Sequence, residues 1–516
     1  MTDTSTQIEP PEVLPPLGTV GLLRWLWRQL TSMRTALVLL FLLAVASIPG
    51  TVLPQRGTNP LKVTQWIQNN PISGPVLDRL GFFDVYGSAW FAAVYILLFV
   101  SLVGCVIPRM GQHWRAMTAP PPPAPRLLMR MPYGREVTAP CSADAVLDRA
   151  TASLRGWRIR REGDEWISAE RGYLRETGNL VFHLALLVVL AGIALGGLFG
   201  WKGNVIVREG SGFSDTLPQY DAWGGGRLVS PDGLPPFTFT LDHFTVDFER
   251  GAAQRGAPRA FAADLTVQRA PGAPAEHTTV QVNSPLEVDG AKVFLVGHGY
   301  APHVIVRDRT GAVVFDDSVV FLPQDGNFTS TGVIKVPDAT PSMGFNGLWL
   351  PTAALDSVHG PHSTFPAPDD PALFLGAFRG DLGLDAGAPQ SVYTLKTDGM
   401  TRIGLQPLRI GDTWDLPDGS GSVTLAGFTR WASFQIAYDP GKEVALVAVA
   451  VAIAGLVASL LIRRRRIWVR VVGSADGGSL VQVAGLAKAD PGRLPDEVDA
   501  VTAAITDIGS DRKEPA

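Results

Sequence analysis

Asn179–Gly200 reads NLVFHLALLVVLAGIALGGLFG, an apolar run interrupted by a single ionisable residue, His183. About 20 residues rising 1.5 Å each cross the roughly 30 Å hydrocarbon core of a bilayer, so the run is a membrane crossing. Arg171 and Arg175 stand just before it. Gly192, Gly196 and Gly200 recur every fourth residue and make a ridge suited to close helix packing. At 100° per residue, His183 falls about 180° to 260° round the helix from that ridge. An ionisable side chain at this depth is costly and by default marks function. The helix can therefore pack on its glycines while turning the imidazole toward a ligand or a second subunit, and His183 is the candidate ligating residue.

Three further stretches have the same character. Thr35–Val52 carries no charge and follows Arg24, Arg28 and Arg34. Ser88–Pro108 is uncharged and precedes Arg109 and Arg115, and Val444–Ile462 runs into Arg463–Arg466. The flanking arginines orient all four by the positive-inside rule. The expected order is a cytoplasmic segment 1–34, crossing 35–52, a short external loop 53–87 and crossing 88–108. A cytoplasmic region 109–178, crossing 179–200, an external domain 201–443, crossing 444–462 and a cytoplasmic tail 463–516 follow. Both termini are then inside. Ala44-Val45-Ala46 has the look of a signal-peptidase site, but the segment before it is too long for a signal peptide and the apolar run continues past it.

Between the crossings the composition changes. Residues 1–20 are rich in Pro and Thr and read as a structureless lead-in. Ala119–Pro125, APPPPAP, is a stiff extended linker. Ser142–Leu154 reads as a helix capped by Ser142 with Asp144 in its first turn. Trp157–Arg161 and Glu165–Ala169 alternate about Gly163-Asp164 as a hairpin, so the region is expected to be a small βαββ unit. In 201–441 short strands, among them Phe237–Leu241, Lys292–Val296, His303–Val306 and Val423–Phe428, lie between Gly, Pro and Asp turns. Asp439-Pro440-Gly441 is expected to turn the chain into the last helix. Beyond Trp468 a short strand gives way to an acidic, Gly-rich remainder that reads as partly unstructured. The fold expected is a polytopic α-helical membrane protein with four transmembrane helices, a large β-rich extracytoplasmic domain and a small α+β cytoplasmic module.

Composition agrees and excludes other classes. The chain is 46% hydrophobic with mean hydropathy +0.16 and only 18% charged residues. A net charge of −4 leaves no basic face for nucleic acid. The two cysteines, Cys105 and Cys141, make no CxxC and no CxxCH, so neither thioredoxin-type exchange nor covalent haem attachment to this chain is written here. Cys105 reads as a small apolar filler. Walker A, GxSxG and HExxH patterns are missing. Among other histidines, His359 and His362 have ligand-like spacing but no evident further partners. His243 shares a strand face with Phe237, Phe239 and Leu241 and reads as half-buried and hydrogen-bonded. His298 and His303 flank a turn and are weaker external candidates.

Four segments stand out: SMRTALVLLFLLAVASIPGTVLPQ (Ser32–Gln55), LGFFDVYGSAWF (Leu80–Phe91), GNLVFHLALLVVLAGIALGG (Gly178–Gly197), and YDPGKEVALVAVAVAIAGL (Tyr438–Leu456) running into IRRRRIWVR (Ile462–Arg470). They resemble the ResB family of cytochrome c biogenesis proteins. Order, spacing and topology agree as well. The resemblance implies a cell-membrane component of system II cytochrome c maturation, working with a ResC/CcsA-type partner that carries a tryptophan-rich haem-handling motif. Together the two would export haem b, bound transiently, and attach it to reduced thiols of apocytochrome c. A thiol-reducing, thioredoxin-like membrane protein would be a further partner. The family's transmembrane haem-ligating histidine matches His183. The partner's tryptophan-rich motif is absent here, and Trp223-Gly224-Gly225 is no substitute. Thioether formation would belong to the complex, this chain not being an enzyme alone. The alternative is a scaffold that stabilises the partner without ligating haem.

Overall fold

The structure, a computed structural model, describes residues 18–58, 60–384, 392–475, 478–487 and 492–507. The chain divides into two compact units, Met1–Ala194 with Gly441–Ala516, and Leu195–Pro440.

The first unit holds the helices α1 (Thr19–Leu30), α2 (Met33–Val52), α3 (Pro60–Asn69), α4 (Ser73–Arg79), α5 (Ala89–Thr118) and α6 (Ala143–Ser153). It also holds most of α7 (Leu174–Phe199), with α8 (Lys442–Leu461) and α9 (Leu494–Thr506). Four of these, α2, α5, α7 and α8, are long and apolar enough to cross a membrane. Side-chain oxygens start two of them: Ser32 accepts from the Thr35 amide at 3.2 Å and Ser88 from the Phe91 amide at 3.3 Å. The lead-in expected over 1–20 lies outside the described residues as far as 17, and Thr19 already begins α1. The second crossing, read as ending at Pro108, continues as helix for ten residues to Thr118. Proline removes one amide bond, and the helix passes through it because the flanking turns keep theirs. At about 45 Å, α5 is longer than a hydrocarbon core.

α7 and α8 pack through glycine. A methyl on Gly178 would lie 2.7 Å from the Ser459 amide nitrogen, and one on Gly192 3.0 Å from that of Ala445. The seam thus uses Gly192, as the ridge predicts, together with Gly178 and Gly455. His183, nine residues from Gly192, faces the opposite way.

The soluble part of this unit is one five-stranded antiparallel sheet. Its order is Arg135–Ala139, Gly478–Ala487, Arg465–Ala475, Trp166–Arg171, Arg158–Glu162. Ser142 caps α6 and Gly163 turns the hairpin with φ of 47°, as the sequence predicts. The tail, expected to be one short strand and a partly unstructured remainder, forms two strands and a helix. Its two strands occupy the middle of the sheet and α9 packs beside α6. Ile467, Val469, Val481, Val483, Val498 and Val501 join Val146, Leu147 and Ile167 in a single core. Parts of the tail, 476–477, 488–491 and 508–516, lie outside the described residues. Glu170, on the strand Trp166–Arg171, is buried and paired with Arg464, and with Arg466 at 3.4 Å.

The second unit is β-rich. Its spine is a pair of 18-residue strands, Ala291–Asp308 and Gly421–Tyr438, in register from Lys292↔Ala437 to Asp308↔Gly421. One half packs Val293, Phe434 and Ile436 against Phe213, Phe239 and Leu265. The other packs Val304, Val306, Val423 and Leu425 against Phe345, Trp349 and Leu375. Two cores therefore share one pair of strands. The short strands expected at 292–296 and 303–306 are halves of one strand, and His298 and His303 lie within it rather than beside a turn. Bulges at Leu295/Gly297 and His303/Val304 absorb the twist. Gly299 is required where the Trp431 ring crosses, since a Cβ there would meet it at 2.4 Å.

Candidate functional site

Helices α5 and α7 run antiparallel. The Tyr95 hydroxyl, early in α5, donates to the Leu190 carbonyl late in α7. His113, late in α5, meets Thr177 early in α7, with Nε2 3.0 Å from Oγ1. The turn from α1 to α2 is held to α5 by Ser101, whose hydroxyl donates to the Leu30 carbonyl at 2.5 Å, and by Cys105, whose thiol donates to Thr31 O at 2.7 Å. Between α2, α5 and α7 lies a cleft of about 740 Å³. Its walls are chiefly leucines, including Leu37, Leu40, Leu98, Leu102 and Leu186. Its polar groups are Arg109, Gln112, His113, Glu176, Asn179 and His183.

His183 is set in one orientation. Its Nδ1 lies 2.8 Å from the Asn179 carbonyl oxygen, one turn back on the same helix. A carbonyl oxygen only accepts, so Nδ1 carries the proton and donates; in the neutral ring Nε2 then keeps the lone pair. A backbone carbonyl holding the far ring nitrogen is the arrangement that fixes metal-binding imidazoles. The Phe182 ring meets the imidazole edge-on at 5.2 Å.

The remaining histidines are placed differently. His243 is exposed because a bulge at Leu241/His243 shifts the alternation, leaving Phe244 buried in its stead. Its Nδ1 is 3.0 Å from Glu209, so the half-buried position expected for it is not found. His298 is stacked against Phe328 at 4.6 Å and Phe244 at 5.1 Å, with the Phe261 ring tilted beside it at 5.1 Å. Burial, and then the Arg430 charge, push its pKa down to about 4. Both ring nitrogens of His303 are engaged, Nδ1 with Ser318 at 3.1 Å and Nε2 with Asp316 at 2.8 Å. His359 and His362 share the hairpin Ala353–Asp356/Gly360–Ser363, where Nδ1 of His359 sits 3.1 Å from Asp356. Among the described residues no group of three or more His, Cys, Asp or Glu is placed to hold a metal ion. Cys105 and Cys141 are free thiols.

Sequence reasoning missed His113. It lies beyond Pro108, in the stretch assigned to the cytoplasmic region 109–178. The available signal was its spacing of four from Arg109, which puts both on one helix face if the helix continues.

Four membrane-crossing helices, a β-rich domain inserted before the last of them and a histidine held in an apolar cleft define a multi-pass membrane protein. The model of the ResB-like family matches residues 33–499, and the chain belongs to that family. It is 28% identical over 281 residues to a protein named cytochrome c biogenesis protein CcsB from Gloeobacter violaceus, covering 51% of this chain and 54% of that one. A CcsB of a Synechococcus species is 28% identical over 284 residues, 53% of this chain and 59% of the relative. One from Thermosynechococcus vestitus is 25% identical over 283 residues, 53% and 60%. The chain thus spans between half and three fifths of the length of the curated relatives it matches.

Proposed function

We propose that this chain is the haem-handling membrane subunit of a system II cytochrome c maturation complex, and that His183 ligates haem b in transit. The observation that carries the proposal is the geometry of His183, an imidazole whose Nδ1 proton is held by a backbone carbonyl and which lines a leucine-walled cleft. The cleft suits a flat, largely apolar cargo with one iron and two carboxylates, because apolar walls, a neutral nitrogen donor and a cationic side chain occur together. The names of its relatives support the same reading.

In this scheme the arginine-flanked ends of the four crossings face the cytoplasm, as do both termini, and residues 201–443 lie on the other side. Haem is cargo rather than a resident group. His183 supplies one axial nitrogen and a histidine of a ResC/CcsA-type partner supplies the other. The leucines exclude water and Asn179 O keeps the imidazole in one tautomer. Apocytochrome c, its thiols kept reduced by a thioredoxin-like membrane protein, receives the haem on the far side. Thioether formation belongs to the complex.

The test is assembly of holocytochrome c in cells carrying His183→Ala at wild-type protein level. Loss of haem-stained cytochrome with retention of the partner is the expected result. Full assembly would leave the chain only a bracing role and refute haem ligation.

A further inference from the structure

The cleft is polar at one end only. Arg109 and His113 lie one turn apart on α5, and both line the cleft with Gln112. Among the described residues, the Arg109 guanidinium hydrogen-bonds only the Met33 sulfur, at 2.7 Å, a weak acceptor for a cation. Nδ1 of His113 is buried without a partner, a condition that costs free energy and is uncommon without a purpose. Glu176, the acidic residue of the cleft, is paired with Arg464. The net character of this end is therefore cationic, with donors of Arg109 unspent and one ring nitrogen of His113 without a partner.

The position matters as much as the charge. Thr177, which meets His113, lies six residues before His183 on α7, about 9 Å along the axis at 1.5 Å per residue. His113 is thus set off from His183 along the cleft, too far along to bind the same atom but within reach of the far edge of one planar ligand. Arg109 lies between the two levels, and its planar fork matches a carboxylate.

We infer that Arg109 and His113 form a carboxylate-binding end of the cleft, which takes the propionate groups of the cargo while His183 addresses the iron. The inference rests on haem being the cargo. Its consequence is directional: a porphyrin enters with its carboxylates toward the Arg109 end and its apolar edge toward Leu186 and Leu190.

The test separates carboxylate binding from iron ligation by using metal-free protoporphyrin IX and its dimethyl ester, neither of which offers iron to His183. The full chain, in nanodiscs, is titrated with each by fluorescence quenching, and the readout is the ratio of the two affinities. One charge-assisted bond is worth about tenfold or more, so Arg109→Gln should cut the diacid-over-diester preference by about tenfold. Arg109→Gln with His113→Asn should cut it further, Arg109→Lys should retain part of it, and His183→Ala should retain it all. Unchanged diester affinity in the double variant shows that the cleft is still formed. The inference is overturned if the ratio survives in the double variant, including the case in which both porphyrins are lost to the same degree. It is also overturned if His113→Asn alters the iron spectrum of bound haem instead. Failure of the His183 reading looks different: the haem spectrum of His183→Ala is unchanged while the diacid preference stands.

Discussion

Gly455 sets how closely α7 and α8 approach, on the side of α7 away from His183. A Cβ at Gly455 would lie 2.8 Å from the Phe182 amide nitrogen and 2.9 Å from the Gly178 carbonyl oxygen. Both are backbone atoms of α7, so relief requires the helices to separate by several tenths of an ångström. Replacing Gly by Ala inside a helix gains about 0.5–1 kcal/mol in backbone entropy. Overpacking a tight contact costs about 1–3 kcal/mol. Gly455→Ala should therefore destabilise by about 1–2 kcal/mol, and Gly455→Leu by considerably more. Gly111 on α5 is the control, since nothing lies within 4 Å of a Cβ there and Ala should only gain. The assay is the thermal midpoint of the full chain in one detergent, followed by tryptophan fluorescence. Gly455→Ala should fall below wild type while Gly111→Ala matches or exceeds it. Equal midpoints for the two variants would refute the close seam, and with it the claim that helix packing leaves the His183 face free.

Truncation after Ile462 removes two strands from the five-stranded sheet, so limited proteolysis should cut within 135–171 in the truncated chain and spare it in the full one. Arg464→Ala leaves the buried Glu170 with Arg466 alone at 3.4 Å, and should destabilise this unit by about 3 kcal/mol in denaturant titration. Asp215 is buried in the β-rich unit, where burial raises its pKa to about 6 against the opposing hydrogen bond from Tyr220 at 2.5 Å. The folded state then holds this proton more tightly than the unfolded one. Its contribution to stability falls as pH rises from about 4 to 6, and above 6 the full penalty of about 3 kcal/mol is present. Asp215→Asn should raise the thermal midpoint at pH 8 and leave it nearly unchanged at pH 4; a gain of equal size at both would count against the buried charge.

The four apolar helices, and the place of His183 within one of them, were legible because a bilayer imposes a local rule of apolar length that reads directly. Ser142 and Gly163 were legible for the same reason, a cap and a turn being local chemistry. The strand pairing of the tail was not, since Val469 meets Ile167 across some three hundred residues and local alternation names no partner. The 18-residue strand Ala291–Asp308 was divided around Gly297 and Gly299, where the glycines serve a bulge and a ring crossing instead of a turn. A bulge likewise moved His243 to the surface. His113 was hidden behind Pro108, whose usual meaning as a helix stop gave way to the packing of α5.

The most direct measurement is the visible spectrum of the full chain purified with the proposed ResC/CcsA-type partner, wild type against His183→Ala, with and without added imidazole. Wild type should carry six-coordinate haem. His183→Ala should lose most of it, and imidazole, standing in for the missing Nε2, should restore both occupancy and band positions. Haem content and spectrum that are the same in wild type and His183→Ala would contradict ligation by this chain.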